Sequence, residues 1–349
     1  MTKNIGKGPI FVTGADGDKG LAIAQQLIHL PSQHKHLPEY PIYGGLADAT
    51  TARAQTLESM GAKAVAFDIF SEPHKATEAL QGVAKLCLLI DPLNDRMTRN
   101  NILQFGKTFI DAAKEANVDH IIFLTPFSPK DPFPFMGTDT STDTMTTPNN
   151  NNNNMCQFHP SFHFQFMAIE TYLLQQLNKE RVTILRYPGI LHQHLMVFRH
   201  YVAEHDAFPL LDNLDYTVES CNLEDIARAV GYIAHSPTAR HAGDVYKITG
   251  PQLLTLHEVS QRMFLGLQRD HAVNRMDLST LRQILYDSVG NNDHVGFLLE
   301  MWGLQQKKKR FEVTRDLELL TGKSGILLNE FFEDDQVRDS FKKPNPSMA

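Results

Sequence analysis

Cysteine is scarce in this sequence. Three occur in 349 residues, Cys87, Cys156 and Cys221, far apart and never as C-x-x-C, which excludes a disulfide framework and a cysteine zinc site. There is no basic surplus either. The formal net charge is -7, which argues against nucleic acid or an anionic membrane as the main partner. The only basic run, Lys307 to Arg310, reads as a solvated helix end. No apolar run approaches the length of a membrane span, and the start MTKNIGKGP lacks an apolar signal core, so a cytoplasmic protein is expected. Several reaction signatures are missing as well. Without a G-x-S-x-G elbow an α/β-hydrolase is excluded. His159 and His163 stand four apart, but no H-E-x-x-H is present and Pro160 disfavours a helix starting before it, so no metal site is expected.

What is present begins at Ile10. Residues Ile10 to Leu30 read IFVTGADGDKGLAIAQQLIHL: an apolar run, three glycines at Gly14, Gly17 and Gly20, then a helix-like pattern from Leu21. Strand, tight glycine turn and helix in that order place backbone N–H groups and the positive end of a helix dipole against a pyrophosphate. The spacing is Gly-x-x-Gly-x-x-Gly, and its place between strand and helix is what makes it a nucleotide-binding turn.

The first half alternates strands and helices. After the glycine helix, Pro31 to Pro41 reads as a long loop. Strands are expected over Pro41–Ala47, Ala64–Ile69, Lys85–Ile90, His120–Leu124, Val182–Arg186 and Val245–Ile248. Helices are expected over Ala52–Met60, Thr77–Leu80, Asn101–Ala116, Phe162–Leu177 and Glu224–His235. Nearly continuous apolar strands joined by helices predict an α/β fold, a doubly wound parallel sheet of Rossmann type. Pro126 to Pro160 breaks the pattern with prolines, a Thr/Ser/Asp-rich stretch and the asparagines Asn149 to Asn154; a flexible insert over about 136–158 is expected. The tail from Leu256 to Phe341 reads as mostly helical. The expected division is 1–190 for the nucleotide-binding domain and 191–349 for a smaller, mostly helical substrate or partner domain, with part of 222–248 returning to the first sheet. The cleft between them is the default site.

Several segments resemble the NmrA-like branch of the atypical short-chain dehydrogenase/reductase family: VTGADGDKG at Val12–Gly20, LADATTARAQTLESMGAKAVAFDIF at Leu46–Phe70, IETYLLQQLNKERVTILRYPGIL at Ile169–Leu191, YKITGPQLLTLHEVSQ at Tyr246–Gln261 and FEVTRDLELLTGKSG at Phe311–Gly325. The resemblance implies a Rossmann domain with a small C-terminal α/β domain and a ligand that is usually NADP(H). It implies a reductase of quinones, imines or other small molecules, or a regulator that binds the nucleotide without known turnover. Carried over, Gly14, Ala15, Asp16, Gly17, Lys19 and Gly20 form the pyrophosphate turn. Asp68 and Ile69 lie beside the adenine; Ile90, Asp91 and Pro92 border the adenosine; Thr125 and Pro126 meet the nicotinamide ribose; and Pro188, Gly189 and Ile190 lie against the nicotinamide. Phe127, Phe166 and Leu191 are the apolar substrate-pocket residues.

Two departures from the family pattern stand out. Many members carry an arginine just past the second strand for the 2′-phosphate of NADP. Here Ala47 and Asp48 stand there, an acid that suits a ribose diol, with Arg53 nearby as a substitute; NADP and NAD are both open as the cofactor. Typical short-chain dehydrogenases use Tyr-x-x-x-Lys, which is absent. The lysine or histidine that often precedes the helix glutamate, Glu170, by four residues is replaced by Phe166, and His163, one turn earlier, is the nearest candidate proton donor. Three functions stay open: an NAD(P)H-dependent reductase of a small apolar or aromatic carbonyl, quinone or imine; a nucleotide sensor that regulates a protein; and a scaffold without nucleotide.

Overall fold

The computed structural model describes residues 6–126, 161–212, 217–303 and 312–343. The expected insert at 136–158, together with Phe127, Cys156, His159 and the run Lys307 to Arg310, lies outside the described residues. In chain order the strands are β1 (Ile10–Val12), β2 (Ile42–Leu46), β3 (Lys63–Ala66), β4 (Lys85–Leu88), β5 (His120–Thr125), β6 (Val182–Arg186), β7 (Ile190–Leu191), β8 (Phe208–Leu211), β9 (Thr217–Cys221), β10 (Val245–Lys247), β11 (Leu253–Thr255) and β12 (Val273–Met276). The helices are α1 (Asp18–Gln33), α2 (Ala52–Ser59), α3 (His74–Ala79), α4 (Ile102–Glu115), α5 (Phe162–Gln176), α6 (Arg199–His205), α7 (Leu223–His235), α8 (Leu256–Gly266), α9 (Leu278–Val289), α10 (Asn292–Gly303), α11 (Asp316–Thr321), α12 (Leu328–Glu333) and α13 (Asp335–Ser340).

Seven strands form one parallel sheet in the order β10-β6-β5-β4-β1-β2-β3. The expected Rossmann architecture is the observed one. Side chains alternate across it as a two-residue period requires. Phe11, Leu86, Leu88, Ile121 and Phe123 pack into one layer with Phe105 and Phe109 of α4 and Ile169 and Leu173 of α5. Ile10, Val12, Cys87, Ile122 and Leu124 pack into the other with Ile23 and Leu27 of α1 and Ile226 and Val230 of α7. Burial on both faces explains why these strands read as unbroken apolar runs. Two small sheets lie outside it: β7, β9 and β11, and the pair β8 and β12. No described helix is long and apolar enough to cross a membrane.

Two local expectations are corrected. The third strand stops at Ala66, so Phe67, Asp68 and Ile69 leave the ladder at the sheet's C-terminal edge. The loop expected from Pro31 starts later, because α1 runs through Pro31 to Gln33. A proline inside a helix leaves the carbonyl four residues back without its amide partner. That carbonyl is Leu27 O, which lies 2.8 Å from His235 Nε2 at the end of α7, while Nδ1 of the same ring lies 2.8 Å from Pro38 O. A side chain from far along the chain fills the bond that the proline removed.

The N-terminal edge of the sheet is rich in buried bases. Lys85 at the start of β4 is fully buried, and its ammonium donates to Ser236 O. Burial pulls the Lys85 pKa down to about 8, despite the opposing influence of Cys87 and Asp119. His120 on β5 donates from Nε2 to Thr183 Oγ1 at 2.8 Å, because that hydroxyl spends its own proton on His241 O at 2.7 Å. Burial, then the charge of Lys85, hold His120 down at about 3.

Candidate functional site

Strand order reverses between β1 and β4, and in an open α/β sheet a crevice opens outside the strand ends at that point. Its floor is the glycine turn. Thr13 ties β1 to β4: its hydroxyl donates to Leu89 O at 2.6 Å and accepts from Leu89 N at 2.8 Å. Ala15 N–H donates to Gly45 O at 2.9 Å, fastening the turn to β2 as well. Gly14 has φ +62°, a conformation open to glycine and costly for most other residues. At Gly20 a Cβ would stand 2.1 Å from the Gly14 carbonyl oxygen, so only glycine lets α1 sit this close to the turn. Gly17 precedes α1 as its N-cap with no side-chain cap. By contrast, α8 begins with a reciprocal cap between Thr255 and Glu258. The start of α1 is therefore left for an external acceptor, and its dipole favours an anion.

Two adjoining cavities flank this turn. The first is a narrow slot of about 50 Å³ between the ends of β2, β3 and β4, walled by Leu46, Phe67, Ile69, Met97, Phe105 and Phe109, with Asp16, Asp68, Asp91, Asn94 and Arg96 at its polar rim. The second, about 560 Å³, extends from Gly17 and Lys19 past Leu191 and His194 to Ser288 and Val289. Asp16, Asp91, Asn94 and Arg96 line both. An apolar slot opening onto a polar trough beside an uncapped helix suits a ring system joined to an anion.

The charges here come in pairs. Lys19 Nζ meets Asp91 Oδ1 at 2.8 Å with both side chains nearly buried, and Leu93 N–H donates to the same oxygen at 3.1 Å. Burial pushes the Asp91 carboxyl up, but the Lys19 ammonium and these hydrogen bonds outweigh it and hold the pKa below the usual value. Arg96 meets Asp68 at 2.7 Å. Asp68 also accepts from Phe70 N–H at 3.1 Å, and its carboxyl is lowered although burial opposes the shift. Arg53 pairs with Asp18 at the exposed lip.

The predicted residues divide between the crevice and elsewhere. Gly14, Asp16, Gly17, Lys19, Asp68, Ile69, Asp91, Arg53 and Leu191 each line one or both cavities. Asp48 lines neither; its carboxylate accepts from the Thr50 N–H at 2.8 Å and the Thr50 hydroxyl at 2.7 Å ahead of α2. The acid that does meet the end of β2 is Asp16, which accepts from Ala47 N–H at 3.3 Å and from Asn94 Nδ2 at 3.1 Å. Ile90, Pro92, Thr125, Pro126, Pro188 and Ile190 are buried at the strand ends. A Cβ on Gly189 would stand 2.7 Å from Met301 Sδ, so α10 lies directly over that turn. His163 and Phe166 lie away from both cavities. Each is wholly buried, Phe166 in the core, and the His163 N–H donates to Glu300 Oε1 of α10 at 2.8 Å. Among the described residues no cluster of three or more His, Cys, Asp or Glu is placed to hold a metal ion.

Sequence reasoning missed much of the cavity lining, and three of the polar residues among it bear on a ligand. Asn94 and Arg96 lie in PLNDRMT, the polar loop after β4, which the strand-end rule alone marks. His194, which no sequence motif marks, lines the second cavity. It accepts from Leu191 N–H at Nδ1, which leaves its proton on Nε2. Burial, reinforced by the Lys19 charge, holds its pKa down at about 3, so the ring is neutral.

No protein-family model and no curated protein matches the chain. Solved structures do match. The NADPH-dependent quinone oxidoreductase of Escherichia coli, complexed with NADPH, is 20% identical, with 93% of this chain and 98% of that one covered at a TM-score of 0.67. The triphenylmethane reductase of Citrobacter sp., complexed with NADP(H), is 18% identical, covering 94% and 99%, also at 0.67. The negative transcriptional regulator NmrA in complex with NAD is 13% identical, covering 94% of both chains at 0.61. The structural neighbours are thus NmrA-like and related NAD(P)-binding proteins, and at these identities the likeness establishes the shared fold.

Proposed function

We propose that the crevice binds a nicotinamide adenine dinucleotide and that the protein is a reductase of a small apolar or aromatic carbonyl, quinone or imine. The observation that carries this reading is the uncapped start of α1 at the point of strand reversal, with an apolar slot on one side and a polar trough on the other. Adenine enters the slot between Leu46, Ile69 and Phe105, the Arg96–Asp68 pair closes over its rim, and the first-turn N–H groups of α1 take the pyrophosphate. The bound nicotinamide would supply a hydride. Thr125, Pro126, Pro188, Gly189 and Ile190 form the floor on that side. Residues 191–349 bring the substrate or partner side, with 222–248 returning to the main sheet.

A second reading, a nucleotide-responsive regulator of a protein partner, is favoured by two features. The turn at Gly189 is covered by Met301, and His163 lies buried outside both cavities. Reductase activity requires the Met301 side chain to swing away from Gly189.

Calorimetric titration with NADH and NADPH, beside a turnover screen against quinones, imines and enones, tests both. The expected result is binding of at least one dinucleotide, weakened tenfold or more by Gly17→Val, about 1.4 kcal/mol. The nearest atom to a Cβ at that position is 3.4 Å away, an ordinary contact, and unfolding measured beside binding separates obstruction of the helix start from damage to the fold. Turnover supports the reductase, and binding without turnover the regulator. If neither dinucleotide binds, the proposal fails.

A further inference from the structure

Resting on that reading of the crevice, one contact adds a constraint on its ligand. At the uncapped start of α1, where Gly17, Lys19 and Asp91 line one cavity, a carboxylate is already in place. Asp91 Oδ2 stands 3.4 Å from where the Cβ of residue 17 would be, nearer than any atom beyond the adjacent residues of the chain. Its other oxygen holds Lys19 Nζ at 2.8 Å, with side-chain exposures of 6% and 9%. The same ammonium sits 5.8 Å from the centre of the Phe297 ring of α10, which closes it in from the far side.

We propose that Asp91 is an internal anion competing with the ligand's pyrophosphate for the start of α1, and that Lys19 is the cation they share. The nucleoside half enters the slot without opposition. The pyrophosphate seats only as Lys19 exchanges the carboxylate for a phosphate oxygen and Asp91 gives way. Two anions this close repel strongly in a partly dry site, and a lysine on a flexible stem can change partner where a fixed backbone donor cannot. Affinity for any ligand carrying a diphosphate is therefore held below what the glycine turn alone would give.

The test measures adenosine and ADP-ribose affinities by calorimetry in the wild type, Asp91→Asn, and the double variant Lys19→Gln with Asp91→Asn. Asparagine keeps an acceptor for the Leu93 N–H and removes the charge. The quantity read is the preference for ADP-ribose over adenosine within each protein, so a general change in the slot cancels. That preference should rise tenfold or more in Asp91→Asn, with a steeper loss in salt as the freed ammonium meets phosphate. The double variant, with a neutral pair, should rise less than the single variant but still exceed the wild type. It also keeps the test decisive if a buried unpaired Lys19 prevents the single variant from folding. A preference that stays unchanged or falls, with adenosine still bound, overturns the competition and leaves the nucleotide reading intact. Failure of every protein to bind adenosine, ADP-ribose or NADH overturns that reading and this inference together.

Discussion

The two ends of the main sheet handle charge in opposite ways. At the C-terminal end each of three cations meets a carboxylate from another segment: Lys19 with Asp91, Arg96 with Asp68, Arg53 with Asp18. At the N-terminal end Lys85 and His120 meet only a carbonyl and a hydroxyl, and burial drives both toward their neutral forms. Ion pairs between neighbouring segments can exchange partners when a charged ligand arrives. A base held by a carbonyl or a hydroxyl, and pushed by burial toward its neutral form, has no carboxylate to exchange. The contrast marks the C-terminal end as the place for an anionic ligand and the N-terminal end as structural.

The largest expected effect tests whether the crevice end is built as tightly as its glycines indicate. Gly20→Ala forces a Cβ onto the Gly14 carbonyl oxygen, and overpacking against backbone should cost about 3 kcal/mol. Urea unfolding should show that loss, whereas Gly17→Ala stays near the wild type. Equal stability of the two variants would show that the turn is slack.

Acid is the next largest effect and acts on both ends. His120, His192 and His194 are all held down at about 3 by burial, while unfolded histidines titrate near the ordinary value of 6.5. Between those values the unfolded state binds more protons, so the stabilisation is full above pH 6.5 and is lost as pH falls. The three together should remove about 3 kcal/mol between pH 6.5 and 5.5. Asp225, whose carboxyl burial raises to about 6, works the other way and returns less than about 1 kcal/mol over that interval. Stability measured against pH in His120→Asn and His194→Asn should each flatten the fall by about a third. A flat wild-type profile would contradict the neutral state of these rings.

Lys85→Met isolates the N-terminal end. Replacing a buried, carboxylate-free lysine with an apolar chain of similar length should stabilise by about 2 kcal/mol at pH 7. Because the folded pKa of about 8 lies below the unfolded one, the wild type recovers as pH rises through 8, and the gain should shrink there. Nucleotide affinity should not change. If it does, the two ends are coupled and the contrast fails.

The smallest effects lie at the crevice lip. Arg53→Ala removes an exposed ion pair and should shift stability by less than about 0.5 kcal/mol. Asp48→Asn should leave the choice between NADH and NADPH unchanged, because its carboxylate is spent on Thr50. Asp16→Asn should move that choice toward NADPH, read by paired titrations.

The contrast also explains what could be read in the sequence. The main-sheet strands were legible because burial on both faces writes them as apolar runs, and the glycine turn because its geometry admits few other residues. The short strands β7, β8, β9, β11 and β12 were not expected, since segments of two to five residues take their identity from partners elsewhere in the chain. Charge pairing was hidden for the same reason. The resemblance puts Lys19 in the pyrophosphate turn, and nothing local ties it to Asp91. Asp48 was readable in principle, because an aspartate two residues before a threonine commonly folds back on it. His163 and Phe166 were placed by analogy, and the packing of α5 beneath α10 puts both in the interior.

Pro31 and His235 are, in effect, a single hydrogen bond divided between two residues. Alanine at position 31 would restore the amide that Leu27 lacks, and the imidazole would keep only its contact with Pro38 O. Removing the imidazole alone would strand a buried carbonyl that has no amide behind it. Their mutational costs should therefore be strongly non-additive, and neither residue is free to drift unless the other changes first. Tolerance at position 235 is a property of position 31, and a substitution table for either residue alone would misstate both.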